Sequence, residues 1–190
     1  MRPDATLAAV AAAWLVTACA TPAPGPAALP VDAVSIDRPF VAEGRLSARR
    51  AQDAINVRFD WRHEPPRDWI AVSSPLGQTI AELSGDAAAG RVDVRTAEGR
   101  ELRAADWMAL TEQALGFPLP VSGLAAWIRG KPHRGTTYTV ESDASGRVTV
   151  LRQDGWEVVY DYADEAARVP MRLRASYPDL ELRVAIEQWR

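Results

Sequence analysis

The 190-residue sequence contains a single cysteine, Cys19, so no intramolecular disulfide, thiolate metal cluster or C-x-x-C pair can be built. Histidine is nearly as scarce: His63 and His133 stand alone, no Cys or carboxylate cluster lies at metal-ligand spacing around them, and no metal is expected. His63, at a strand end beside Glu64, and His133, in the loop Lys131-Pro132-His133, both read as solvated. Lysine is reduced to Lys131, leaving arginine as nearly all of the 22 cations, yet a net charge of −3 does not suit a surface that tracks phosphates, and nucleic acid is excluded as a partner. No apolar run approaches the roughly 20 residues of a membrane-spanning helix. Also missing are G-x-S-x-G, the P-loop and G-x-G-x-x-G, which removes the usual hydrolase, NTPase and dinucleotide readings. Carboxylates such as Asp60, Asp93 and Glu157 fall on wet strand faces and mark no common cleft, so no enzymatic activity is expected.

Residues 1–18 follow the grammar of a secretion signal: Arg2 near the start, an apolar stretch from Leu7 to Val16, then Thr17-Ala18 before Cys19. A free Cys is commonly a small buried hydrophobe, but placement directly after a signal core points elsewhere. Leu15-Val16-Thr17-Ala18-Cys19 resembles the bacterial lipobox, which implies that Cys19 carries a covalent lipid and becomes the first residue of the mature chain. The resemblance further implies outer-membrane sorting, because Ala20 rather than Asp follows the Cys. From residue 19 to 38 the chain is Pro/Ala-rich, with little that could pack a core. It is read as an extended tether reaching on the order of 60 Å at polyproline spacing.

The folded domain, residues 39–190, is dominated by period-2 alternation. Ile55, Val57, Phe59 and Trp61 interleave with Asn56, Arg58, Asp60 and Arg62, the pattern of a strand with one dry and one wet face. The same pattern recurs in Phe40-Ala42-Gly44-Leu46, Val92-Val94, Trp156-Val158-Tyr160-Tyr162, Met171-Leu173-Ala175-Tyr177 and Leu180-Leu182-Val184-Ile186. Turn signals at hairpin spacing separate these runs, and with weaker candidates the count reaches about eleven strands. One insertion, near 105–130, differs. Trp107, Leu110, Ala114 and Leu115 repeat at helical spacing between an N-cap candidate, Asp106, and a terminating Gly116, and Leu124, Trp127 and Ile128 suggest a second helix beyond Pro118 and Pro120. The expected architecture is mainly β, a curved antiparallel sheet with a helical cover, able to enclose a ligand cavity.

Two features exceed the needs of a plain structural domain. Seven Trp are a heavy aromatic load, suited to packing a core and equally to walling an alkyl chain. Ser74-Pro75-Leu76-Gly77 sets a leucine between turn formers, so Leu76 is expected to point outward; a lone exposed Leu is common and needs no explanation by itself.

Together with the lipobox, Phe40-Val41-Ala42-Glu43-Gly44-Arg45-Leu46-Ser47, Ser74-Pro75-Leu76-Gly77, Leu115-Gly116-Phe117-Pro118-Leu119-Pro120-Val121, Leu124-Ala125-Ala126-Trp127-Ile128-Arg129-Gly130 and Gln153-Asp154-Gly155-Trp156 resemble the LolB family in order and spacing across nearly the whole mature domain. The resemblance implies a half-open antiparallel barrel of eleven strands with a helical lid over an apolar cavity. It implies a monomer anchored in the outer membrane and facing the periplasm, which receives acylated lipoprotein cargo from the periplasmic carrier LolA and inserts it into the inner leaflet without nucleotide hydrolysis. No cofactor is implied beyond the lipid on Cys19. Leu76 matches the family's exposed leucine on the loop between the third and fourth strands and is implied to enter the membrane; Ser74 stands where the family often has Asn. Inward parity, not the resemblance, nominates Phe59, Trp61, Trp127, Ile128 and Trp156 as the cavity wall. The competing readings are a soluble carrier, against which the lipobox argues, and an assembly-factor lipoprotein that binds protein through its sheet edge and has no lipid cavity.

Overall fold

The computed structural model describes residues 38–190; the signal segment, Cys19 and the tether up to residue 37 lie outside the described residues. Eleven strands form one antiparallel sheet: β1 (Phe40–Arg50), β2 (Asp53–Glu64), β3 (Arg67–Ser73), β4 (Thr79–Asp86), β5 (Arg91–Thr96), β6 (Glu101–Ala104), β7 (Tyr138–Ser142), β8 (Val148–Gln153), β9 (Trp156–Asp161), β10 (Arg172–Tyr177) and β11 (Leu180–Trp189). Two helices, α1 (Trp107–Leu115) and α2 (Val121–Trp127), interrupt the series between β6 and β7. The alternation in β2 sorts as its residue types require, with Val57, Phe59 and Trp61 buried and Asn56, Arg58, Asp60 and Arg62 exposed.

The strand order is β6-β5-β4-β3-β2-β1-β11-β10-β9-β8-β7. Two meanders, each running between chain neighbours, are therefore joined side by side through β1 and β11. The backbone at Val41 and Arg190 exchanges both hydrogen bonds, at 3.1 and 2.8 Å. The seam is tight. At Gly44, beside a register shift, an added Cβ would sit 2.1 Å from the Ala185 carbonyl oxygen and 2.9 Å from the Phe59 ring, so only glycine lets β11 approach so closely. The outer strands of the series, β6 and β7, do not pair with each other, and the sheet is open there.

The helical insertion begins and ends on the expected residues. Asp106 accepts a 2.9 Å bond from the Ala109 N–H, and the Gly116 N–H closes the far end on the Glu112 carbonyl. Pro118 and Pro120 separate α1 from α2, and the link is fixed from within because the Thr111 hydroxyl accepts from the Leu119 N–H at 2.7 Å. Helix α1 packs on β5 and β6, bringing the pair over the sheet's concave face.

Three expectations change. His63 is not solvated: its ring stacks on Phe40 at 4.9 Å and its Nδ1 lies 2.7 Å from Asp68 of the neighbouring strand. His133 is half-buried, bonded through Nε2 to Asp154 and tilted against Trp127. Met171 and Tyr177, read as inward, are exposed because they flank β10 at its two ends, beyond the apolar cover that buries Leu173 and Ala175.

Candidate functional site

The inner faces of β1 to β4 and β11 converge with α1 and α2 on one apolar cavity. Its sheet side is formed by residues such as Val57, Phe59, Trp61, Val72 and Leu83, its cover by Leu115, Leu119, Val121, Leu124 and Ile128. Among the described residues Thr111 is the single polar one in the wall, and its hydroxyl is occupied, donating to the Trp107 carbonyl at 2.8 Å and accepting from Leu119. Among the described residues no charged side chain faces the space. An alkyl chain would meet no unpaired polar group there, which is the condition for burying it cheaply.

The cavity holds only about 50 Å³. That is little more than one water's share of liquid volume, about 30 Å³, and far below the roughly 300 Å³ at which small-molecule pockets begin. In this arrangement the cover fills the site with its own leucines. Polar contacts hold it down on two sides. The Arg50 guanidinium, at the end of β1, grips the Glu112 carboxylate of α1 at 2.9 and 3.3 Å and the Gly116 carbonyl at 2.7 Å. The Glu112 hydrogen bond is the main cause that raises the Arg50 pKa above its ordinary value. On the other side the Trp127 indole donates to Gln153 of β8 at 3.0 Å, and Gln153 in turn bonds both backbone groups of His133.

Of the five residues nominated for the wall, Phe59, Trp61 and Ile128 line the cavity. Trp127 and Trp156 are buried outside it, where they pack against each other at 5.9 Å, and Tyr177 covers Trp156. The indole of Trp61 is oriented by a 2.7 Å bond to buried Asp68, an arrangement that parity alone does not reveal. Val72 and Leu83, inward by the same alternation in β3 and β4, also line the cavity. Leu119 has no such signal, since the non-periodic link between the helices places it, whereas Thr111 sits within α1 one turn after Trp107, on the helix's buried face.

Leu76 occupies the tip of the loop between β3 and β4 and is 90% exposed. The loop is a closed turn: Gly77 donates to the Ser74 carbonyl at 2.9 Å, Ser74 to the Gln78 carbonyl at 2.8 Å, and the Ser74 hydroxyl accepts from the Gln78 N–H at 3.2 Å. Gly77 has φ +87°, a conformation its neighbours' side chains would resist. The tip is thus rigid and its leucine has no intramolecular use. The lipidation candidate, Cys19, lies outside the described residues. Among the described residues no group of three or more His, Cys, Asp or Glu could hold a metal ion.

Comparison with known proteins fits this geometry. The family model "Outer membrane lipoprotein LolB" matches residues 38–189. A relative of that name from Chromobacterium violaceum is 38% identical over 154 residues, 80% of this chain and 81% of its own length. Another, from Azoarcus sp., is 36% identical over 195 aligned positions, covering 100% of this chain and 98% of its own. Among solved structures, a DUF1329 family protein from Desulfovibrio piger shares the fold with TM-score 0.54 and 9% identity, over 81% of this chain and 85% of that one.

Proposed function

The chain belongs to the LolB family of outer-membrane lipoproteins, and from that premise we propose that it is a lipid-anchored receptor that takes acylated lipoproteins from the periplasmic carrier LolA and passes them to the inner leaflet of the outer membrane. The observation that carries the reading is a wholly apolar cavity under a helical cover, paired with a leucine held clear of the fold. In this reading Cys19 bears the anchor, residues 1–18 are removed and residues 19–38 are the tether. The protein works as a monomer without nucleotide or metal.

Burying a CH₂ group is worth about 0.8 kcal/mol, so a C16 acyl chain left in water costs on the order of 12 kcal/mol. A cavity of about 50 Å³ cannot take that chain until α1 and α2 swing out, and the leucines they withdraw are replaced by the cargo's methylenes. Exchange of one apolar filling for another keeps the net cost of opening low. Direction then comes from a gradient of affinities along the route, about 1–3 kcal/mol per step. Anchoring beside the acceptor bilayer raises the effective concentration for the last step.

The test is transfer of a radiolabelled lipoprotein from carrier to the purified full-length mature chain bearing Cys19→Ser. The expected result is acceptance at the level of the acylated protein. Failure to accept, with no uptake of a hydrophobic fluorescent dye, would overturn the reading in favour of a protein-interaction module.

A further inference from the structure

The outer face of the sheet carries five arginines in two adjacent transverse rows. The pairing register sets Arg58, Arg45, Ala185, Arg172 and Asp161 in one row across β2, β1, β11, β10 and β9, and Asn56, Ser47, Arg183, Arg174 and Val159 in the next. They line an open groove of about 670 Å³ whose wall includes Pro75, the residue before Leu76.

The charges in this groove do not balance. Glu187 bridges Arg45 and Arg58, at 2.6 and 3.0 Å, and Glu181 binds Arg183 at 2.8 Å. With Asp161, three carboxylates face five guanidiniums, an excess of two positive charges on a protein whose net charge is −3. Arg172 and Arg174 are exposed and among the described residues form no ion pair or side-chain hydrogen bond. Arg174 moreover stands directly across the ladder from Arg183, and like charges placed so destabilise a sheet. Val159, 41% exposed, adds an apolar spot among them.

We infer that this groove is a docking site for anionic lipid headgroups, which seats the domain on the bilayer while Leu76 enters it. The guanidinium fork matches phosphate oxygens, and the apolar Val159 and Leu76 on the same side suit an interface that is charged outside and apolar within. An acidic protein would find the charge but no use for a projecting leucine beside it. The inference rests on the membrane-delivery reading of Leu76, and goes beyond it by naming which face meets the lipid and by which chemistry.

The test is flotation of the mature Cys19→Ser chain, residues 19–190, with vesicles of phosphatidylethanolamine containing phosphatidylglycerol, against vesicles of phosphatidylcholine. Binding is expected to the anionic vesicles and to vanish at high salt, since exposed charges are screened within about 3 Å at 1 M. Arg172→Gln with Arg174→Gln should lower it about twenty-five-fold, from roughly fivefold per basic residue, with an unchanged or raised melting temperature. Arg91→Gln with Arg95→Gln, the same charge change on β5, should leave it intact. Equal binding by the groove variant, or equal loss in the β5 variant, overturns the inference. Competition by inorganic phosphate at constant ionic strength would show a free-anion site instead, and loss of carrier binding with vesicle binding retained would assign the groove to a protein. A chain that accepts lipoprotein but ignores vesicle charge refutes only the headgroup site, whereas one that accepts none refutes the function itself.

Discussion

Replacing Leu76 with glutamate should separate receipt of cargo from its release. The side chain is 90% exposed and the turn bonds of Ser74, Gly77 and Gln78 involve no atom of it, so stability should move by no more than about 0.5 kcal/mol. Nor does Leu76 line the cavity, so uptake from the carrier should proceed at the normal rate. At the bilayer the arithmetic differs. Burying one leucine is worth about 2 kcal/mol, and losing that alone weakens interfacial insertion about thirtyfold. A carboxylate adds its own desolvation cost, so incorporation should fall by at least that factor. Melting temperature, carrier-to-receptor transfer and liposome incorporation are measured on one preparation, with Leu76→Phe as the apolar control that retains incorporation. Wild-type incorporation by Leu76→Glu would refute the reasoning, as would a parallel loss of uptake.

Gly44→Ala drives a methyl group to within 2.1 Å of the Ala185 carbonyl and should cost about 1–3 kcal/mol in urea unfolding; an unperturbed midpoint would mean the β1–β11 seam is softer than drawn. Asp68→Ala removes the acceptor of the Trp61 indole and leaves that N–H buried and unpaired, a loss of about 1–3 kcal/mol by the same measurement. Leu124→Ala, in the cover, should lower stability by about 2–5 kcal/mol while raising dye uptake per folded molecule, and unchanged uptake would place Leu124 away from the entry route. Among the described residues the buried Tyr160 hydroxyl has no hydrogen-bond partner, so Tyr160→Phe should be neutral or stabilising by up to about 1 kcal/mol at neutral pH. Burial pushes that phenol well above its ordinary value, so the folded state holds its proton longer than the unfolded. The stability this confers is complete below pH 10 or so and is lost as pH rises further; melts of Tyr160→Phe should therefore show a shallower alkaline decline.

Strands with one wet and one dry face were legible from spacing alone, because burial on a single side forces period 2 on the residues themselves, as in β2 and β11. Helix α1 was legible for a different reason: Asp106 and Gly116 are local devices whose chemistry acts within one turn. What spacing does not carry is which distant group a side chain will meet. His63 lies at the end of β2 and looks wet, yet the hairpin brings Asp68 and Phe40 onto it. Trp127 and Trp156 have inward parity, but the sheet curls so that inward at β9 means a neighbouring indole and inward at β2 means the cavity. Leu76 was readable as exposed from turn chemistry, while a role for it in the membrane is implied only by the family resemblance. The arginine rows are spread over β1, β2, β10 and β11 and become one surface only through register.

The order of the strands also sets when the domain can be completed. Each meander closes on sequence neighbours, but the seam between them joins residues such as Ala42 and Trp189, more than a hundred positions apart. During export the first six strands can assemble while β1 still presents a bare row of N–H and C=O groups, a template for pairing with the wrong chain. Closing so long a loop is the slow, entropically costly event in such a topology. The cavity wall includes Val184 of β11, so a partly emerged chain has no finished pocket. The apolar pocket is thus completed in one step, by β11.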